Sequence, residues 1–217
     1  MGVEPVNVIR LWGDVWITNT VTSTWVMMAL ILGLGLYLRY RYPTALEMLL
    51  DFFTDMIADV MGDAAADYIP FIGALTIFIA VANVIGIVPL VSSPTRDIST
   101  PGALAIIVFF AVHYYGIRAK GVVQYLKDMI SPLYLLPLLL PLEIIGQLSR
   151  TLSLTLRLFG NIISGELVVA VIFSLIPLFV ELPLVGLSMF TGLLQAYIFA
   201  ILTTVYIGAG VQVVEEA

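Results

Sequence analysis

Four ionisable side chains interrupt an otherwise apolar stretch of this sequence: Glu143, Arg150, Arg157 and Glu166 are the only charged residues between positions 129 and 180. The two arginines lie seven residues apart in "SRTLSLTLRLFGNIISGEL", with leucines on every side. A charge at the centre of a bilayer costs from ~2.5 to above 10 kcal/mol, so an intramembrane charge is a functional candidate by default. On a helix turning about 100° per residue, Glu143, Arg150 and Arg157 fall nearly on one line, which drifts only ~20° per heptad. Gln147, Asn161 and Ser164 lie close to that stripe, Leu154 interrupts it, and Leu152, Leu156 and Phe159 point away. Glu166, nine residues beyond Arg157, falls on another face.

Arginine suits a place that must remain positive while a neighbouring acid changes state. Its guanidinium cannot relay a proton at physiological pH, and beside a carboxylate it favours release of that acid's proton or cation. Acids and amides on either side of it would line wet half-paths, so the pattern reads as ion translocation past a positive barrier. Two plainer readings stand beside this one. Arg150 snorkels toward the nearer interface, or Arg157 forms a structural ion pair. Within its own helix Arg157 has no easy partner, because Glu143 is roughly 21 Å away along the axis and Glu166 roughly 13 Å. Its partner is expected on another helix or another subunit.

The rest of the sequence says where such a helix sits. The chain has 217 residues, 61% of them apolar and 11% charged, and a mean hydropathy of +1.09. That composition belongs to a polytopic membrane protein. A net charge of −6 excludes a nucleic-acid footprint, and zero cysteines and one histidine, His113, exclude thiol chemistry and ordinary metal centres. No metal and no cofactor are expected. His113 is expected to pack or to sit at the interface, and Tyr206 to pack.

The hydropathy runs predict an all-α fold of about five membrane helices and one amphipathic surface helix, in a single membrane domain spanning residues 1–217. Spans are predicted at 21–42, 68–91 and 103–121. Between the first two, apolar residues at 45, 46, 49, 52, 53, 56, 57 and 60 follow a helical period. Acids recur every fourth residue there, at Glu47, Asp51, Asp55, Asp59, Asp63 and Asp67. Segment 44–67 should therefore lie along a surface rather than cross the bilayer. From Leu182 to Val214 there is no charge over 33 residues, and 129–180 is longer still. Such lengths exceed a bilayer core of about 30 Å, so segment 129–214 is read as a hairpin of two long, strongly tilted helices joined near Pro177 and Pro183. Arg39, Arg41, Arg118, Lys120 and Lys127 share one side, predicting an outside N-terminus and a cytoplasmic C-terminus.

The motif "SLTLRLFGNIISGEL", with "LLQAYIFAILTTVYI" on the following helix, closely resembles the a subunit of F-type rotary ATP synthases. The resemblance extends over nearly the whole chain and includes the "GIRAKG" loop. It implies a non-catalytic stator subunit in a bacterial plasma membrane. That subunit would conduct protons or sodium through two half-channels, to and from carboxylates on a rotating c-ring. It implies contact with peripheral-stalk b-type subunits through 44–61 and indirect contact with the F1 sector. By the same resemblance Arg157 is the essential barrier and partner of the ring carboxylate, and Glu143 the acid of the cytoplasmic half-channel, with Arg150 beside it. Asn161, Glu166 and Gln195 match polar positions around the arginine and the opposite half-channel, and Asn83 matches a family asparagine on the earlier span, among the residues expected to serve ion translocation. Ser149 lines the inner path or marks close helix packing. Ser188 and Gly86 stand where some relatives carry histidine and aspartate, which leaves Glu166 without those partners. A secondary ion-coupled transporter is the alternative reading, but the internal repeat expected of one is not visible.

Overall fold

A computed structural model describes residues 7–12, 15–86, 93–129, 136–175 and 181–211. It is a multi-pass membrane protein built from seven α-helices among the described residues, preceded by a short antiparallel ribbon of β1 (Asn7–Trp12) and β2 (Val15–Thr18). The ribbon has no counterpart in the sequence reading. Four helices are long and apolar enough to cross a membrane: α1 (Asn19–Arg41), α4 (Ser99–Lys120), α6 (Leu136–Leu175) and α7 (Glu181–Val211). A fifth apolar helix, α3 (Ile69–Ile85), is shorter. Pro177, one of the two prolines near which the hairpin joint was placed, lies outside the described residues, whereas Pro183 falls in the first turn of the last helix.

Segment 43–61 forms α2 (Pro43–Met61), whose proline sits in the first turn, where a missing N–H is harmless. Its apolar face buries Phe53, Met56, Ile57 and Met61, while Glu47, Asp51, Asp55 and Asp59 remain exposed. The periodic carboxylates therefore follow the uncovered side of an amphipathic helix. Gly62, at a φ of +59°, stops the helix and returns its N–H to the Ala58 carbonyl. A 3-10 segment, Gly62–Asp67, then leads into α3.

The third span begins earlier than hydropathy suggested, at Ser99 rather than 103. The Asp97 carboxylate accepts hydrogen bonds from the Ser99 amide and hydroxyl, an Asx turn that starts the helix. Pro101 is tolerated because it lies in the first turn. At the other end Gly121, at a φ of +80°, ends α4 and opens a further short helix, α5 (Val122–Met129). Close packing fixes this elbow: a Cβ on Gly116 would come within 2.5 Å of the Tyr125 ring and 3.3 Å of the Gly210 carbonyl.

The last two helices are long. With 40 residues α6 extends about 60 Å, twice the hydrocarbon thickness, and the 31 residues of α7 extend about 46 Å. Neither fits a bilayer upright, in line with strongly tilted helices. Pro137 and Pro141 lie in the first two turns of α6. The core lies where α7 packs against α2, α3, α4 and α6. It includes Ile72, Ile79, Val108, Leu158, Phe199 and Ile207, all essentially inaccessible.

Candidate functional site

On α6 the residues Leu154, Thr155, Leu158 and Ile162 form the buried face, while Leu152 and Leu156 are 60% and 57% exposed. The arginine stripe runs along the border between these faces, because Leu154 and Leu158 neighbour it on the packed side. Arg157 is exposed, and among the described residues it makes no hydrogen bond or ion pair. Its apolar surroundings, from Leu138 to Val171, are largely uncovered by the chain itself. An apolar surface of this extent suits lipid or a partner rather than water.

Toward the start of α6, Glu143 accepts a hydrogen bond from Gln147 Nε2 at 2.9 Å, one helical turn on. The Arg150 guanidinium lies 5.5 Å from the ring centroid of Tyr206 on α7, within cation–π range. Gln147, Arg150, Thr151 and Tyr206 line a cavity of about 10 Å³ against Ala105, Val108, Phe109 and Val112 of α4, enough for about one water. Tyr125 on α5 also belongs to this end. Burial pushes its hydroxyl above the ordinary value, the Glu143 carboxylate adds to that rise, and Arg150 opposes it. Ser149 is exposed on the same stretch. His113 binds locally, its Nδ1 2.8 Å from the Phe109 carbonyl and its ring 4.4 Å from that of Phe109, so it packs as expected. Tyr206 packs beneath the Arg150 guanidinium.

Beyond Arg157 a second cleft, of about 180 Å³, opens between α6 and α7. Asn161, Ser164, Ser188 and Thr191 supply its polar lining, and the volume is large enough for several waters. Asn161 Nδ2 donates a long bond of 3.4 Å to the Thr191 carbonyl. The helices approach closely here, since a Cβ on Gly165 would lie 2.7 Å from the Ser188 hydroxyl.

Glu166 is adjacent to this cleft in sequence, and its partner comes from a loop. Arg96, in the 3-10 turn Pro94–Arg96, brings Nε to 3.1 Å from Glu166 Oε2. That Nε is buried and makes an ion-pair contact without the alignment of a hydrogen bond. Neither helical periodicity nor the family resemblance pointed to Arg96. The turn that carries it is pinned by a buried network. Asn83 Nδ2 donates to the Gly192 carbonyl at 2.8 Å, and Thr95 Oγ1 donates to Asn83 Oδ1 at 3.0 Å. Ser93 Oγ donates to the Ala82 carbonyl at 2.7 Å and lies 2.7 Å from Thr95 Oγ1. Gly86 and Gly192 make this possible. A Cβ on the first would lie 2.8 Å from the Ser93 Cβ, and one on the second 3.0 Å from the Asn83 Cβ. Asn83 thus ties α3, the loop and α7 together. Gln195 is also buried, at 6% exposure, and its Nε2 has no hydrogen-bond partner among the described residues.

These elements define a polytopic membrane protein whose longest helix carries a charged stripe, with a small cavity and a larger cleft, each lined in part by polar side chains, on either side of an uncovered arginine. A family model described as ATP synthase A chain matches residues 17–208. The ATP synthase subunit a 2 of a Bradyrhizobium strain is 43% identical over 92% of this chain and 91% of its own length. That of a Picosynechococcus strain is 41% identical over 100% and 96%, and the subunit a of Legionella pneumophila (strain Paris) 38% over 92% and 89%. The chain belongs to the ATP synthase A chain family.

Proposed function

We propose that the protein is the stator subunit of a rotary ATP synthase or ATPase in a bacterial plasma membrane. It forms one membrane domain and conducts protons or sodium ions between the two aqueous sides and the carboxylates of a rotating c-ring. It catalyses no reaction itself; ATP turnover belongs to the F1 sector. The observation that carries this reading is the state of Arg157. It is a permanent cation on the uncovered, leucine-rich face of α6, with no partner among the described residues. A carboxylate on a passing ring would supply the missing partner, and the guanidinium would favour discharge of that carboxylate's ion. The positive charge would also keep ions from leaking directly between the two cavities.

In this reading the inner half-channel is formed by Glu143, Gln147, Ser149 and Arg150, with Tyr206 beneath the guanidinium. The outer one follows Asn161, Ser164 and the α6–α7 cleft to Glu166, with Gln195 and Asn83 behind it. The acidic face of α2 meets the b-type subunits of the peripheral stalk. The N-terminus lies outside and the C-terminus in the cytoplasm, because the basic ends of α1, α4 and α5 then share the cytoplasmic side.

The test uses the assembled complex in liposomes, comparing wild type with Arg157→Ala and recording ATP-driven proton and sodium uptake together with passive leak. Coupled uptake should fall below detection in Arg157→Ala while ATP hydrolysis sites and assembly persist. Normal coupled uptake without Arg157 would refute the barrier role.

A further inference from the structure

We propose that Arg96 is a positioning residue for Glu166: a tethered guanidinium that occupies the carboxylate between ion transfers and thereby weakens its hold on the incoming cation. The inference rests on the reading of Glu166 as the acid of the outer half-channel. Arg96 is not a random surface charge. Thr95, immediately before it, is fully buried and bonded to Asn83, Ser93 is bonded to the Ala82 carbonyl, and Asn83 is bonded across to α7. The turn is therefore tied to α3 and, through Asn83, to α7, and from it Arg96 reaches Glu166 on α6.

Among the described residues no other charge forms an ion pair with either partner. Asp97, the acid nearest to Arg96 in sequence, is engaged with Ser99. The described part of α7 beyond Glu181 has no charged residue, and neither has α3. On α4, Arg118 and Lys120 lie at the end opposite this turn, and His113 is bonded to the Phe109 carbonyl. Among the described residues Arg96 is the charged group in ion-pair range of Glu166. The pair is also reachable, with side-chain exposures of 30% and 39%, so an ion arriving from outside can displace the guanidinium. A fully buried pair would not exchange. The contact lacks hydrogen-bond alignment, which keeps it weak enough to open at every transfer.

Removing the guanidinium should make Glu166 hold its cation more tightly. In liposomes at fixed membrane potential, ATP synthesis is recorded against the outer ion concentration, with protons and sodium varied separately. Arg96→Gln should lower the half-saturating outer ion concentration about two- to fivefold, the range of partly exposed ion pairs. Its maximal rate should fall, because ions pass onward more slowly, and Arg96→Lys should stay near wild type. Glu166→Asp, which withdraws the carboxylate by one methylene from a fixed turn, should shift the half-saturation in the same direction and keeps the question decidable if Arg96→Gln assembles poorly. A loss of maximal rate with unchanged half-saturation in both variants would overturn the proposal and reduce Arg96 to a structural tie. If Arg157→Ala abolishes coupled synthesis in the same vesicles, that result overturns this inference alone. Normal synthesis by Arg157→Ala would overturn the half-channel reading and this inference with it.

Discussion

Asn83 was expected from the family resemblance to serve ion translocation, yet the structure places it in a tie between α3, the 93–96 turn and α7. The substitution Asn83→Ala separates these roles. It removes two hydrogen bonds, of 2.8 Å to the Gly192 carbonyl and 3.0 Å from Thr95. It keeps the Cβ that faces Gly192. Thr95 Oγ1 retains Ser93, so that hydroxyl is not orphaned. Side-chain hydrogen bonds between membrane helices average ~0.6 kcal/mol and reach ~1.7. Two of them give about 1–2 kcal/mol, and at 1.4 kcal/mol per decade the open population of the turn should rise about 5- to 30-fold. The chain has no cysteine, so a single reporter can be introduced at Ala82, which is fully buried and whose carbonyl accepts the Ser93 hydroxyl. In the assembled complex, thiol labelling of Ala82→Cys should accelerate by that factor when Asn83→Ala is added, with transport reduced in proportion to the disturbed Arg96 turn. Unchanged labelling together with a collapse of transport would refute the tie and place Asn83 directly in the ion path.

Gln195 offers the converse case. Its buried Nε2 has no hydrogen-bond partner among the described residues, and an unsatisfied buried group costs about 1–3 kcal/mol. Gln195→Leu should therefore leave the thermal stability of the complex equal or higher while lowering coupled ion transport, and a clear fall in the melting midpoint would show a structural amide instead. For Tyr206, the ring alone matters to the contact with Arg150, because a cation is attracted to the aromatic face rather than to the hydroxyl. Tyr206→Phe should transport at close to the wild-type rate and Tyr206→Leu roughly two- to fivefold more slowly, measured as ATP-driven uptake; equal losses in both would assign the effect to the hydroxyl.

Much of this architecture was readable before any coordinates. Hydropathy runs marked α1, α3, α4, α6 and α7 because a bilayer demands continuous apolar length, and the four-residue acid rhythm marked α2 because a helix exposes every fourth residue on one side. The charged stripe was visible for the same reason: Glu143, Arg150 and Arg157 share a heptad spacing. What failed to show locally was local chemistry without an apolar signal. The β1–β2 ribbon and α5 are too short to imprint a period, and α4 began early because Asp97 forms an Asx turn outside the hydropathy window.

The amino-acid sequence by itself determined a polytopic helical protein of this family and the arginine around which its chemistry is argued, because membrane insertion and helical periodicity are properties of neighbouring residues. Only the tertiary structure decided the partners. Glu166 meets Arg96 across 70 positions of chain, Arg150 meets Tyr206 across 56, and Asn83 meets Gly192 across 109. No helical or strand period relates residues so far apart. Their meeting depends on how α3, α4, α6 and α7 pack, and on glycines at 86, 165 and 192 that let a loop and two helices come close enough.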